Sequence, residues 1–285
     1  MDDSGGFGAP PPPPPPSAGG GDDLPIAPRT PSKIINEAFT TFMLHWQQLV
    51  TIGLIAAVVT LVIGLVLGAA LKALNDNTAG STIVALVTFG LFLVVSLIIT
   101  GAVTRLIASD VAGSPISIQD SINYGVTHVG PILLVSLIVF AVILVELIVG
   151  VLIAKVVDAP VWLVLVFLGA LFLALMFSVA IPALVVEGKS GANAVNRSWD
   201  LVRRAFGHAL GTLALAYLVV LAAGILVAII GSASDVLLAI LNFALQVVLL
   251  PFFSLVVVLL YVNLRVKASG GVTRAQLRAE LARTA

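Results

Sequence analysis

The stretch ILLVSLIVFAVILVELIVGVLIA, from Ile132 to Ala154, decides the fold class. It is apolar on every helical face, and about twenty such residues at about 1.5 Å rise each cross the hydrocarbon core of a bilayer. Lipid gives the backbone nothing to bond to, so a spanning segment is either a helix or a strand in a closed barrel. The alternation of a barrel strand is missing here, so the segment reads as a transmembrane helix. A single carboxylate, Glu146, interrupts it.

Five further runs have the same character: about Leu49 to Leu71, Ile83 to Thr104, Val161 to Val186, Gly211 to Ile230, and Val236 to Val262. The 285-residue chain is 60% hydrophobic and 10% charged, with a mean hydropathy of +1.17, whereas soluble domains carry about a quarter charged residues. The expected fold is therefore all-α and polytopic, with six transmembrane helices. Basic and acidic residues balance at fourteen each, so no basic field points to nucleic acid as a partner. With no cysteine in the chain, disulfides, thiolate metal sites and cysteine nucleophiles are excluded.

The basic residues give an orientation. Arg29, Lys33, Arg105, Lys189, Arg197, Arg203, Arg204, Arg265, Lys267, Arg274, Arg278 and Arg283 fall on one side of six alternating spans, and only Lys72 and Lys155 on the other. The positive-inside bias places both termini in the cytoplasm. The first residues lack a basic region followed by an apolar one, so insertion is expected to rely on the internal spans.

Three regions follow. Residues 1–30 are acidic and Gly-rich, with seven prolines from Pro10 to Pro16, and read as a disordered cytoplasmic tail. A solvated spacer is the plainer role for it, and a contact with an unknown protein partner the sharper one. Residues 31–267 form the membrane domain. Residues 268–285 are a basic cytoplasmic tail in which TRAQLRAELARTA has a weak helical pattern, with Leu277 and Leu281 on one side.

The membrane domain contains an internal repeat. INEAFTTFMLHW from Ile35, IQDSINYGVTHV from Ile118 and VNRSWDLVRRAF from Val195 align without gaps. Ile35, Ala38, Phe39, Phe42, Met43 and Trp46 make a helical stripe in the first copy. Ile118, Ile122, Val126 and Val129 keep it in the second, and Val195, Trp199, Val202 and Phe206 in the third. The unit is an amphipathic helix followed by two spans, used three times in a pseudo-threefold arrangement. Thr30-Pro31 and Ser114-Pro115 are expected to open the first two copies as cap and first turn.

The third copy, IPALVVEGKSGANAVNRSWDLVRRAFGHALG, has Pro182 near the end of a span, Glu187-Gly188 closing it, and Arg197-Ser198-Trp199 on the amphipathic helix. Together with LLPFFSLVVVLLYVNLRVK around Pro251, Tyr261 and Arg265, it resembles the membrane domain of bacterial glycerophosphoryl diester phosphodiesterases and related small membrane proteins, over roughly residues 30 to 270. In such enzymes the chemistry belongs to a separate soluble barrel, so the resemblance transfers no catalytic residue to this chain.

Candidate sites are few, and no catalytic group, cofactor or metal ligand set is expected. His45, His128 and His208 stand at the junctions of amphipathic helix and span. A histidine cluster there is the sharper reading, and ordinary interfacial placement the plainer one. Gly64 and Gly68 form a small-xxx-small pair expected to serve helix packing. Arg197, Arg203 and Arg204 share the polar surface of the third amphipathic helix above Trp199, a combination that fits an interface with anionic lipid headgroups. These arginines also enforce topology. Inside the membrane, Glu146 and Gln246 lie at comparable depths with Asn242 one turn nearer the surface on the same face, and a clamp between the third and sixth spans is expected, with Gln246 the preferred partner of Glu146. A coupling carboxyl is the alternative role for Glu146. The functional expectation is a non-enzymatic scaffold or regulator of membrane partners; the alternative is a transporter or lipid-handling protein using the repeat interface.

Overall fold

A computed structural model describes residues 26–73, 78–157 and 160–284, and every regular element among them is a helix. The Pro10 to Pro16 tract lies outside the described residues. In chain order the helices are α1 Pro31–Leu44, α2 Trp46–Ala73, α3 Thr78–Val111, α4 Ile118–Thr127, α5 Val129–Val157, α6 Pro160–Met176, α7 Ala180–Glu187, α8 Ala192–Arg204, α9 Phe206–Gly231, α10 Asp235–Ser269 and α11 Arg274–Arg283. Among the described residues six segments are long and apolar enough to cross a membrane: Trp46–Val66, Val87–Val111, Val129–Ile153, Trp162–Glu187, Phe206–Gly231 and Asp235–Ser269.

The short helices α1, α4 and α8 each stop at a break, at His45, His128 and Ala205, before a span begins. All three, with α11, gather at the end of the bundle where α3, α7 and α10 finish; this is called the capped end below. Pro31 is the first residue of α1, as expected, although the Thr30 side chain makes no capping bond. Ser114-Pro115 does not open α4. That helix starts at Ile118, where the Ser117 hydroxyl accepts from the Asp120 N–H and donates to the Asp120 carboxylate at 2.7 Å. The local serine satisfies an orphan N–H that Pro115 leaves out of reach.

Burial divides the expected stripes. On α1, Ile34, Ala38 and Phe42 are buried, whereas Phe39 and Met43, like Trp46 at the start of α2, stay more than half exposed. On α4 the buried face is Ser121, Tyr124 and Gly125, and the apolar Val126 points outward. Gly125 explains the inversion, because a Cβ there would strike the Ile98 carbonyl of α3. Backbone contact needs the small residue there, and Val126 beside it faces out while Ile118 and Val129 still pack against the core.

The fourth span is broken. Residues 177–179 interrupt the helix between α6 and α7, and a broken ladder inside an apolar segment must find other partners. Ser198 of α8 supplies one, donating its hydroxyl to the Met176 carbonyl at 2.8 Å. Ser178 adds a bond to the Leu175 carbonyl at 2.8 Å.

Helix α10 is the central post. Its 35 residues extend about 52 Å at helical rise, well beyond a hydrocarbon core of about 30 Å. Nearly every side chain from Leu255 to Val266 is buried, with α1, α2, α3, α7, α8 and α9 packed around it. α2 approaches most closely at Gly53, where a Cβ would collide with the Val247 carbonyl of α10. Of the expected Gly64 and Gly68 packing pair, Gly64 has nothing within 4 Å of the position its Cβ would take, and the surroundings of Gly68 lie outside what is described.

Candidate functional site: a polar cluster at the capped end

Glu187 ends α7, where Gly188 turns the chain at φ +66°, a conformation that favours glycine. Its carboxylate, 9% exposed, meets side chains from three directions. Arg197 of α8 donates Nε–H to Oε1 at 2.9 Å, the Tyr261 hydroxyl of α10 donates to the same oxygen at 2.8 Å, and Lys189 Nζ stands 3.0 Å from Oε2. Tyr261 itself is fully buried. One turn further along α10, Arg265 sits 3.9 Å from Glu187 and pairs with both carboxylate oxygens of Glu280 on α11. Two carboxylates and three cations thus join α7, α8, α10 and α11.

Helix α11 is held by more than this fork. Leu277 and Leu281 are buried, as their spacing suggested. A capping box between Thr273 and Gln276 starts the helix, satisfying two orphan N–H groups reciprocally. Arg105, buried on α3, donates to the Leu281 carbonyl at 2.7 Å and to the Thr284 hydroxyl at 2.8 Å. Arg278 reaches back to the carbonyls of Ala112 and Gly113. The Thr284 hydroxyl also donates to the Val185 carbonyl at 3.1 Å.

Arg105 also faces Tyr124 of α4, with its guanidinium carbon 4.7 Å from the ring centroid. His128 stacks on the same ring at 4.0 Å. Burial raises the Tyr124 phenol above its ordinary range against the opposing pull of Arg105. On the other flank, Asn263 of α10 accepts from the Arg29 N–H at 2.7 Å, donates back to its carbonyl and contacts His208. Arg29 in turn pairs with Glu37 at 2.7 Å.

The three histidines do not converge. His45 lies 3.4 Å from Asp110, His128 on Tyr124, and His208 at Asn263. Among the described residues no three His, Asp or Glu side chains are grouped to hold a metal.

Of the four expected interface residues, Arg197 turns inward to Glu187. Trp199 packs against Phe172 and Phe177 at 6.0 and 5.9 Å between ring centroids. Arg203 stays 65% exposed, with Asp200 at 3.8 Å, and Arg204 is exposed as well. The expected clamp of Glu146, Asn242 and Gln246 is not formed. Glu146 faces α6, its Oε1 filling the space where a Gly169 Cβ would stand, and its buried Oε2 has no hydrogen-bond partner. Asn242 donates to the Leu238 carbonyl of its own helix, and Gln246 lines a cleft between α2, α3 and α10. Comparable depth did not bring Glu146 and Gln246 together, because α5 leans on α6 while α10 stands at the centre of the other helices.

Sequence reading singled out Glu187, Arg197, Tyr261 and Arg265 for their resemblance without placing them together. The signal was present: Tyr261 and Arg265 are four apart on one helical face, and Glu187 is an acidic residue among basic ones at a span end. Arg105, Glu280 and Thr284 carried no such signal. Comparison of the chain with protein-family models, curated proteins and solved structures gives no match.

Proposed function

We propose that this chain is a non-enzymatic, multi-pass protein of the bacterial inner membrane that scaffolds or regulates membrane partners through its capped end, held in the cytoplasmic headgroup layer. One observation carries the reading: three short helices that break into spans, and a docked fourth, share the end with twelve of the fourteen basic residues. The exposed apolar side chains on and beside them, Phe39, Met43, Leu44, Trp46 and Val126, support the reading, because such side chains enter the lipid boundary while charged groups stay above it.

A threefold repeat belongs to the same proposal. The breaks at His45, His128 and Ala205 fall ten residues after Ile35, Ile118 and Val195 in turn. Aligned positions share burial too: Ala38, Ser121 and Ser198 are buried, as are Phe42, Gly125 and Val202. Kinship with the phosphodiesterase membrane domain is part of the proposal and rests on the sequence alone, chiefly Glu187-Gly188 and Arg197-Ser198-Trp199, with Pro182, Pro251, Tyr261 and Arg265 beside them. A lipid-handling role is the second reading, favoured by an apolar cleft between α6, α9 and α10.

Single cysteines in this cysteine-free chain test the placement. Ser17→Cys, Ser114→Cys and Ser269→Cys should resist an impermeant thiol reagent in intact cells, while Asn77→Cys and Ser234→Cys label. Labelling of Ser17→Cys from outside reverses the orientation and removes the cytoplasmic reading.

A further inference from the structure

The cleft between α6, α9 and α10 encloses about 600 Å³ and is walled by side chains such as Leu171, Phe172, Leu213, Ala214, Tyr217 and Phe253. It lies within the apolar spans and begins at Phe206, immediately after α8. Phe172 in its wall touches both Phe206, at 5.7 Å, and Trp199, at 6.0 Å, so the cleft runs directly under the amphipathic helix.

The amphipathic helix α8 above it carries three arginines in unequal settings. Arg197 is occupied by Glu187 at 2.9 Å. Arg203 follows Trp199 by four residues and therefore stands one turn on along the same face, its side chain 65% exposed and Asp200 no nearer than 3.8 Å. Arg204 lies about 100° further round the helix, off the face that carries Trp199 and Arg203. We propose that the cleft holds an acyl chain of one anionic phospholipid, with its phosphate on Arg203. This rests on the membrane placement argued above and goes beyond it by naming a bound lipid rather than a general surface. The size favours a chain over a protein helix. A cylinder about 10 Å across, the width of a helix with its side chains, would fill 600 Å³ in under two turns, whereas small-ligand sites occupy about 300–1,000 Å³.

Native mass spectrometry of the full chain with phosphatidylglycerol and phosphatidylcholine of matched acyl chains tests this. Wild type should retain phosphatidylglycerol preferentially. Ala174→Trp and Ala214→Trp add bulk to the cleft from opposite walls and should each bring retention of both lipids down to background. Arg203→Gln should reduce the preference for phosphatidylglycerol about fivefold, the factor for one basic group at a membrane surface, and Arg204→Gln should leave it intact. Equal losses in Arg203→Gln and Arg204→Gln would overturn the assignment in favour of a diffuse basic surface. So would phosphatidylglycerol retained at wild-type level by both tryptophan variants, or a dimer that those variants abolish while lipid stays. If one tryptophan variant fails to fold, the other and the exposed Arg203 position still decide. Cysteine labelling of the wrong side would sink the cytoplasmic placement alone, leaving the lipid measurement to be read by itself.

Discussion

Glu187 accepts from both Arg197 and the buried Tyr261 hydroxyl, so removing it takes the acceptor from the two together. Breaking a buried pair from one side costs about 3–5 kcal/mol; Glu187→Ala should fall in that range in a denaturant titration of the micellar protein. Tyr261→Phe removes one hydrogen bond to a charged group and should cost about 1.5–3 kcal/mol. Glu146 should behave oppositely. With Oε2 buried and unpaired, Glu146→Leu should be neutral or stabilising by about 1 kcal/mol; a loss of stability would show that the carboxyl has a partner after all. Glu37 gives a pH dependence. Burial raises its carboxyl above the ordinary value despite Arg29 at 2.7 Å, so the folded protein holds the proton more tightly than the unfolded chain. That contribution is present below the unfolded value and is lost as pH rises through the folded one. Glu37→Gln should therefore flatten thermal stability across the weakly acidic range; an unchanged pH profile contradicts this.

Among the helices, contact is set where backbones meet. Gly53 lets α2 lie against the Val247 carbonyl of α10, backbone to backbone, and neither side can move as a flexible side chain would. Gly53→Ala should separate the two helices and cost about 1–3 kcal/mol. Gly64→Ala, eleven residues further along the same helix with open space around it, should be neutral or stabilising by up to about 1 kcal/mol from helix propensity alone. Equal effects of the two in thermal melts would contradict the close crossing. The broken fourth span depends on α8 in the same way, because Ser198 satisfies the Met176 carbonyl that the break releases.

At the scale of the whole molecule, packing is concentrated at the capped end. Leu255 to Val266 of α10 are enclosed, whereas Leu61 to Val66, Val145 to Ile153 and Leu218 to Ile230 carry long exposed apolar stretches toward the other end. α11 closes the enclosed end through Leu277, Leu281, the Arg265–Glu280 fork and the Arg105 bonds to Leu281 and Thr284. Leu281→Asp should release α11 while the spans stay folded, read as rapid protease cleavage after Arg274 or Arg278 with little change in helix content. Cleavage no faster than in wild type would mean that the polar bonds alone keep α11 docked.

Hydropathy alone was enough to establish six apolar helices and their approximate limits, because in lipid every backbone group must be satisfied within its own segment and length and composition are then sufficient. That short helices over Pro31–Leu44, Ile118–Thr127 and Ala192–Arg204 precede spans was legible as well, because their patterns are periodic and local. Partners were not. The face of α4 that is buried, Gly53 rather than Gly64 at a helix crossing, and Glu146 against Gly169 rather than Gln246 all depend on which helices are neighbours. In segments apolar on every face, hydrophobicity marks no preferred side, and without a hydrophobic drive between helices the neighbours are chosen by close packing and a few polar bonds. Glu187, Arg197, Tyr261, Arg265 and Glu280 could be seen along the chain, but it took the crossing of α7, α8, α10 and α11 to make them one network.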